Sequence, residues 1–269
     1  MWSFNQAVFP VKALVVALIA FVGPAGCSGK VPAAKTAGDV RAEDAGYLAP
    51  PAPDAVRLTA TGVSLSGSAP AGGRVRLATP GGQALFADAS AKGRWTLALG
   101  PIAEPRIFGL SVALKGRSAQ AEGYVMVTPQ GQAAVLRAGA GARRIDAAAH
   151  HGVRAIDFDR GGGVEVSATA PPGAAVLLHL DGRLVAQGQA DAAGRYDASL
   201  PAPGSTTAIR PGAHQVQVSG DGFSDTVAFQ VSPSAPLAQG PARSQLTGAG
   251  LRVDWMTPGG GVQSTILVR

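Results

Sequence analysis

Short apolar runs alternate with polar residues along most of the chain. Val63 and Leu65 are separated by a serine, and Val164 and Val166 are separated by a glutamate. An alternation of period two predicts β-strands that bury one face. Such runs recur about every 8–12 residues between turns rich in Gly and Pro, which is typical of a β-sandwich. The pattern therefore predicts an all-β fold.

The strand pattern occurs twice along the chain. Residues 62–95 and 163–196 are identical at 13 of 34 positions, at a constant offset of 101. Trp95 and Tyr196 hold the same position within a strand, so we expect both to fill a sandwich core. Asp181-Gly182 predicts a tight hairpin turn between two strands of the second copy.

The repeat predicts two tandem β-sandwich units, one over residues 56–138 and one over 153–269. A linker over 139–152 joins them, and its Ala-rich middle predicts one or two helical turns.

Each unit ends in a pattern of strand, Thr-Pro-x-Gly and strand, at Thr128-Pro129 and at Thr257-Pro258. A Ser- and Pro-rich loop over about 233–245 precedes the second of these hairpins. We expect the last hairpin to fold back and complete a sheet. The alternative is that it offers an open edge to a strand of a partner.

The first residues of the chain have the features of a targeting signal. The ten apolar residues from Ala13 to Val22 are too few for a permanent membrane span and indicate a secretory signal peptide. The sequence Ala25-Gly26-Cys27 that follows resembles the bacterial lipoprotein signal. The resemblance implies that residues 1–26 are removed and that Cys27 is lipidated. Ordinary cleavage after Ala25, with Cys27 as a free thiol, is the alternative.

The residue after the cysteine is Ser28 and not Asp. In the lipoprotein family this implies sorting to the outer membrane, and we expect the folded part to face the periplasm. Residues 27–55 are dense in Pro and show no apolar period, so we expect a disordered tether between the lipid and the first sandwich.

The turns and strands of the repeat also point to a family. The second copy reads strand, Ala-Pro-Pro-Gly, strand, Asp-Gly, strand, Ala-Asp-Ala-Ala-Gly-Arg-Tyr, strand over about 163–233, and the first copy follows it over 62–129. This pattern resembles the bacterial Ig-like repeats of surface and envelope proteins. The resemblance implies a spacer, stalk or adhesion module, and it implies no catalytic residues.

The charge of the chain is positive, at +6, but the arginines are scattered. The tightest groups are pairs such as Arg143-Arg144, and few aromatic residues lie among them, so we expect no nucleic-acid partner. With Cys27 as the one cysteine, no intrachain disulfide can form.

The sequence shows no motif for catalysis, metal binding or a cofactor. The four histidines lack metal-ligand spacing, and the segment from Asp157 to Gly161 resembles the start of a calcium loop but has Ala168 where the last acidic ligand is needed. We therefore expect no metal, no cofactor and no enzymatic activity. An enzyme would need polar groups of both units to converge on a cleft.

These observations predict a non-enzymatic envelope lipoprotein whose Ig-like units act as structural or protein-docking modules. The alternative is a module that binds a glycan, either peptidoglycan or a surface polysaccharide. Trp255 and Arg252 are the candidate contact residues, because an aromatic ring and a guanidinium suit an acidic sugar. Exposure of both on one face would favour the glycan, and burial of Trp255 would favour docking through strand edges.

Overall fold

The computed structural model describes residues 47–145, 150–200, 209–238 and 240–269. Within these ranges the chain forms nineteen β-strands and no helix, which confirms the predicted all-β class. The described part of the chain therefore contains no helix that is long and apolar enough to span a membrane.

The first half of the chain forms a sandwich of two antiparallel sheets. Its three-stranded sheet has the order β1-β2-β5, and its six-stranded sheet has the order β4-β3-β6-β7-β8-β9. The strands are β1 (Ala52–Thr59), β2 (Gly62–Ser68), β3 (Arg74–Ala78), β4 (Ala84–Asp88), β5 (Arg94–Gly100), β6 (Arg106–Leu114), β7 (Arg117–Val127), β8 (Ala133–Leu136) and β9 (Ala142–Arg144).

The second half repeats this arrangement and extends the other sheet. Its six-stranded sheet has the order β14-β11-β10-β19-β18-β17, and its four-stranded sheet has the order β13-β12-β15-β16. The strands are β10 (Gly152–Asp159), β11 (Val164–Thr169), β12 (Ala175–Leu180), β13 (Arg183–Gln189), β14 (Arg195–Leu200), β15 (Gly212–Gly220), β16 (Phe223–Val231), β17 (Ala242–Leu246), β18 (Gly250–Met256) and β19 (Val262–Val268).

The repeated turn and core residues act as the sequence predicts. Trp95 and Tyr196 are buried in the two sandwich cores, with 2% and 7% of their surface exposed. Asp181 and Gly182 both have positive φ, at 50° and 77°, and they join β12 to β13 as a two-residue hairpin turn. The architecture is consistent with two Ig-like repeats.

A third apolar core joins the two sandwiches. It lies between the two six-stranded sheets, so the described part of the chain has four sheet layers with three cores between them. Its buried residues come from β6 to β9 on one side and from β10, β18 and β19 on the other: Ile107, Met126, Ala134, Leu136, Ala142, Ala155, Leu251, Val253, Trp255 and Leu267. The strands that extend each repeat therefore supply most of the junction.

Several boundaries differ from those that the sequence indicates. Strand β1 begins at Ala52, inside the segment assigned to the tether, and includes Pro53, which an edge strand tolerates. Strand β9 lies inside the expected linker, whose residues 146–149 are outside the described part. Strand β17 begins at Ala242, inside the expected loop over 233–245.

The last hairpin completes a sheet, as we expected. Strand β19 pairs with β10 from Ala155–Leu267 to Asp159–Gln263, which places it between β10 and β18. The same sheet ends in an open edge, because its outermost strand β17 pairs with β18 alone among the described residues.

Candidate functional site

Trp255 is buried in the junction between the sandwiches. None of its surface is exposed, and its indole Nε1 donates a hydrogen bond to Thr265 Oγ1 at 3.0 Å. Its ring lies 6.2 Å from the ring of Tyr124, with an angle of 52° between the two planes. Trp255 therefore has no exposed face on which a sugar could stack, because the first sandwich covers this face of β18.

Arg252 occupies the opposite face of the same strand and is also largely enclosed. Its side chain is 11% exposed and donates hydrogen bonds to Asp254 Oδ1 at 2.8 Å and to the Ser232 carbonyl at 2.9 Å. Its guanidinium carbon lies 5.2 Å from the centre of the Phe158 ring. Trp255 and Arg252 thus do not form the exposed face that a glycan site at this hairpin requires.

The carboxylate that Arg252 contacts is part of a buried ionic network. Asp254 is 3% exposed and accepts hydrogen bonds from Ser264 Oγ at 2.7 Å, from Arg252 and from Arg243. Burial acts to raise the pKa of Asp254, but these hydrogen bonds outweigh burial and hold the pKa below its ordinary value. The network fixes β17, β18 and β19 to one another.

A second carboxyl group lies in the middle of the six-stranded sheet of the second sandwich. Asp157 is 2% exposed, and its Oδ1 accepts hydrogen bonds from Gln263 Nε2 at 2.8 Å and from the Thr265 hydroxyl. Its Oδ2 is buried and has no hydrogen-bond partner in the described structure. Burial raises the pKa of Asp157 to about 7, against the lowering effect of the two hydrogen bonds. In sequence, Asp157 stands at the start of a segment that resembles a calcium loop, whereas in the structure it lies in strand β10.

The turn after β8 covers the polar face on which Asp157 lies. The Gly139 amide donates to Gln263 Oε1 at 3.2 Å, and Arg137 Nη2 donates to Asp197 Oδ2 at 2.8 Å. Glu165, on the strand beside Asp157, is 9% exposed and accepts a hydrogen bond from Ser199 Oγ at 2.6 Å. Burial is the main cause of a raised pKa for Glu165. The polar face on which Asp157 lies is therefore in contact with the turn after β8 and is largely shielded from solvent.

The histidines and carboxylates do not assemble into a metal site in the described ranges. His214 Nδ1 lies 2.7 Å from Asp181 Oδ2, and its Nε2 lies 2.7 Å from the Arg210 carbonyl. Asp159 Oδ1 accepts the Gly163 amide at 3.2 Å and so stabilises the turn before β11. Cys27, the predicted lipidation site, lies outside the described residues.

Exposed apolar side chains mark the open edge of the first sandwich. Strand β4 is the outermost strand of its sheet, and among the described residues it pairs with β3 alone. Leu85 and Phe86 on this strand are 39% and 50% exposed, and the Arg74 guanidinium lies 5.0 Å from the centre of the Phe86 ring. The matching strand β13 of the second copy exposes Leu184. An edge of this kind can accept a further strand.

Comparisons with known proteins give no family. No family model matches the chain, and no curated protein matches it either. The chain is similar to a solved structure described as a biofilm associated protein, BSP domain, with 14% identity and a TM-score of 0.24. This similarity covers 69% of the present chain but only 30% of the other. A second similarity is to the central fibronectin-III array of RIM-binding protein, with 14% identity, a TM-score of 0.25, and coverage of 81% and 88%. Similarities of this size carry no conclusion about function.

Proposed function

We propose that the chain is a non-enzymatic envelope lipoprotein whose two sandwiches act as one rigid structural and protein-docking block. In this proposal, lipid on Cys27 anchors the protein at the outer membrane, and the folded part faces the periplasm. The observation that carries the proposal is the third apolar core, which is built around the fully buried Trp255. Two sandwiches that share a core keep a fixed geometry, as a spacer or scaffold needs.

The same core favours docking at a strand edge. The face that could have offered Trp255 to a glycan is covered, while β4 leaves its backbone and the side chains of Leu85 and Phe86 open. We propose that an extended segment of another envelope protein adds to the sheet beside β4. Backbone hydrogen bonds would give the affinity, and the two apolar side chains would help to select the partner.

The test is crosslinking in cells of the tagged, full-length protein, followed by pull-down and mass spectrometry. We expect a defined set of envelope proteins from the natural chain and loss of that set from the Leu85→Lys, Phe86→Lys double variant. The control is Leu184→Lys, which adds a charge to the matching edge of the second sandwich. Recovery of the same set from all three proteins would exclude docking at β4, and retention on purified peptidoglycan with no defined protein set would favour the glycan alternative.

The anchor is tested separately. Cells that make the protein in the presence of labelled palmitate are expected to incorporate the label into the natural chain and not into a Cys27→Ala variant. Label in both proteins, or in neither, would contradict lipidation at Cys27.

A further inference from the structure

A cleft lined by guanidinium groups lies between the two sandwiches. It has a volume of about 320 Å³, and both sandwiches contribute to its walls. Arginines supply five of its lining residues, Arg137, Arg143 and Arg144 from the first sandwich and Arg154 and Arg195 from the second. Two carboxylates also line it, Glu122 and Asp197, so positive charge dominates the walls.

Three of the arginines are engaged by other groups of the protein. Arg137 forms the ion pair with Asp197 across the junction. Arg144 Nη1 donates to the Val268 carbonyl at 2.7 Å, and the Arg154 side chain bonds to His150. These contacts shape the walls, and they use donors that a ligand would otherwise need.

The other two arginines keep donors for a ligand. Within the described structure, the side chain of Arg143 makes one long hydrogen bond, from Nη2 to the Pro53 carbonyl at 3.4 Å, and no ion pair. Arg195 uses its Nε to bind Asp191 Oδ2 at 2.9 Å, and its two terminal nitrogens make no hydrogen bond to a described residue. Arg143 and Arg195 come from opposite sandwiches, so a ligand that contacts both would span the cleft.

The positive charges of Arg143 and Arg195 repel each other. Burial and, next in size, the positive charge of Arg195 lower the pKa of Arg143. Two like charges that face each other across a partly enclosed cleft repel, and a bound anion would remove that repulsion. A guanidinium also presents its donors in a planar fork that fits the oxygens of a carboxylate or a phosphate.

We propose that this cleft binds a small hydroxylated oxyanion, such as an acidic or a phosphorylated sugar, with Arg143 and Arg195 holding its charged group from the two sides. Glu122 and Thr169 also line the cleft. The Thr169 hydroxyl donates its proton to the His150 carbonyl, so Thr169 Oγ1 and the Glu122 carboxylate can accept hydrogen bonds from the hydroxyls of such a ligand. The site is independent of the proposed docking at β4, since it lies at the junction and not at an outer edge. It is also separate from Trp255 and Arg252.

The experiment is calorimetric titration of the whole folded protein in a buffer free of phosphate and carboxylate. The probes are galacturonic acid trimer, glucose 6-phosphate and inorganic phosphate, with neutral maltotriose as the comparison. We expect saturable binding of one anion per chain, no binding of maltotriose, and about tenfold or greater weakening in an Arg143→Gln, Arg195→Gln variant. An Arg76→Gln, Arg183→Gln variant, which removes one exposed arginine from each sandwich, is expected to bind as the natural protein does.

The probes distinguish the source of the anion. Tighter binding of the trimer assigns a carboxylated saccharide, and tighter binding of glucose 6-phosphate or phosphate assigns a phosphorylated ligand. The proposal is overturned if no anion binds saturably up to its solubility, or if both arginine pairs weaken binding equally. Circular dichroism of each variant establishes that it is folded, and if the double variant unfolds, the single Arg195→Gln variant takes its place.

Discussion

The two copies of the repeat have the same strand order and different surroundings. In the first copy, β2 alternates between buried and half-exposed residues, as a sheet with one free face does. In the second copy, β11 is buried on both faces, including Glu165 and Ser167. Their sequences alternate in the same way, so the local pattern does not distinguish a free sheet face from one that a neighbouring sandwich covers.

The difference originates in the strands added at the end of each copy. Strands β8 and β9 follow β7 directly and extend the sheet to which β7 belongs. In the second copy, a segment of about ten residues after Val231 lets the chain cross to the other sheet, where β17, β18 and β19 continue from β10. The same Thr-Pro-x-Gly hairpin therefore extends opposite sheets, and the two extended sheets face each other.

The largest effect on this arrangement is expected from the indole at the junction. A Trp255→Ala variant should lose about 3–5 kcal/mol of stability, because it leaves a cavity in the core that joins the sandwiches. We expect the single unfolding transition of the natural protein in guanidinium chloride to split into two, followed by far-UV circular dichroism. Trp95→Ala, which empties a core inside one sandwich, is the control and should not uncouple the junction. A single transition for Trp255→Ala would contradict a shared core.

The covered face of the second copy should make stability depend on pH. Asp157 has a folded pKa of about 7, above its ordinary value of 3.8. As the pH rises, this carboxyl group therefore loses its proton at a lower pH in the unfolded chain than in the folded protein. The stability that the protonated group contributes is fully present below about pH 4 and is lost as the pH rises to about 7. Over this range the free energy of unfolding falls by at most about 4 kcal/mol.

An Asp157→Asn variant should remove most of that slope and be more stable than the natural protein at about pH 8. Urea unfolding at several pH values measures it. Asp159→Asn, an exposed change on the same strand, should keep the slope. Equal pH dependence in the natural protein and in Asp157→Asn would show that the carboxyl is ionised in the folded state.

The ion pair across the junction is expected to contribute less. Arg137 and Asp197 are partly exposed, at 24% and 34% of their side chains, so a double-mutant cycle with Arg137→Gln and Asp197→Asn should give a coupling of about 1 kcal/mol. Thr96 holds the matching position in the first copy. The coupling of Arg137 with a Thr96→Asn change should be close to zero, and a similar value in both cycles would show that the pair does not act across the junction.

The smallest effects are expected in the turns that join β3 to β4 and β12 to β13. Gly82 and Gly182 have φ values of 87° and 77°, and neither would bring an added Cβ within 4 Å of another group. Alanine at either position should therefore cost only the backbone strain, about 1 kcal/mol in each copy. Thermal unfolding of Gly82→Ala and Gly182→Ala measures both. A much larger loss at one of them would show that its turn has a second role.

The sequence predicted the parts of the fold that local physics determines. The alternation of Val63 and Leu65, the Asp181-Gly182 turn and the matched aromatic positions all depend on neighbours in the chain or in the same sandwich. The sequence is compatible with either burial or exposure of Trp255, because no local signal distinguishes the two.

The junction itself depends on contacts between residues more than one hundred positions apart. The Arg144 guanidinium with the Val268 carbonyl is one example, and the Gly139 amide with Gln263 Oε1 is another. The sequence shows Arg143-Arg144 as a basic pair. Arg195 lies in the same cleft only because the two sandwiches pack together. A carboxylate such as Asp157, in a strand where a polar residue is expected to face water, gives no sign that another sheet covers it.

The position of β19 has a consequence for the order in which the sheet can form. This strand lies in the interior of its sheet, between β10 and β18, although more than one hundred residues separate it from β10 along the chain. Pairing over so long a separation is slow, because the entropy of closing the loop is lost before the contacts form. Until β19 pairs with β10, the edge of β10 and the part of the junction core that β18 and β19 supply stay open to solvent. We therefore expect the docking of this hairpin to be a late step in folding, and the step at which the second sandwich and the junction close together.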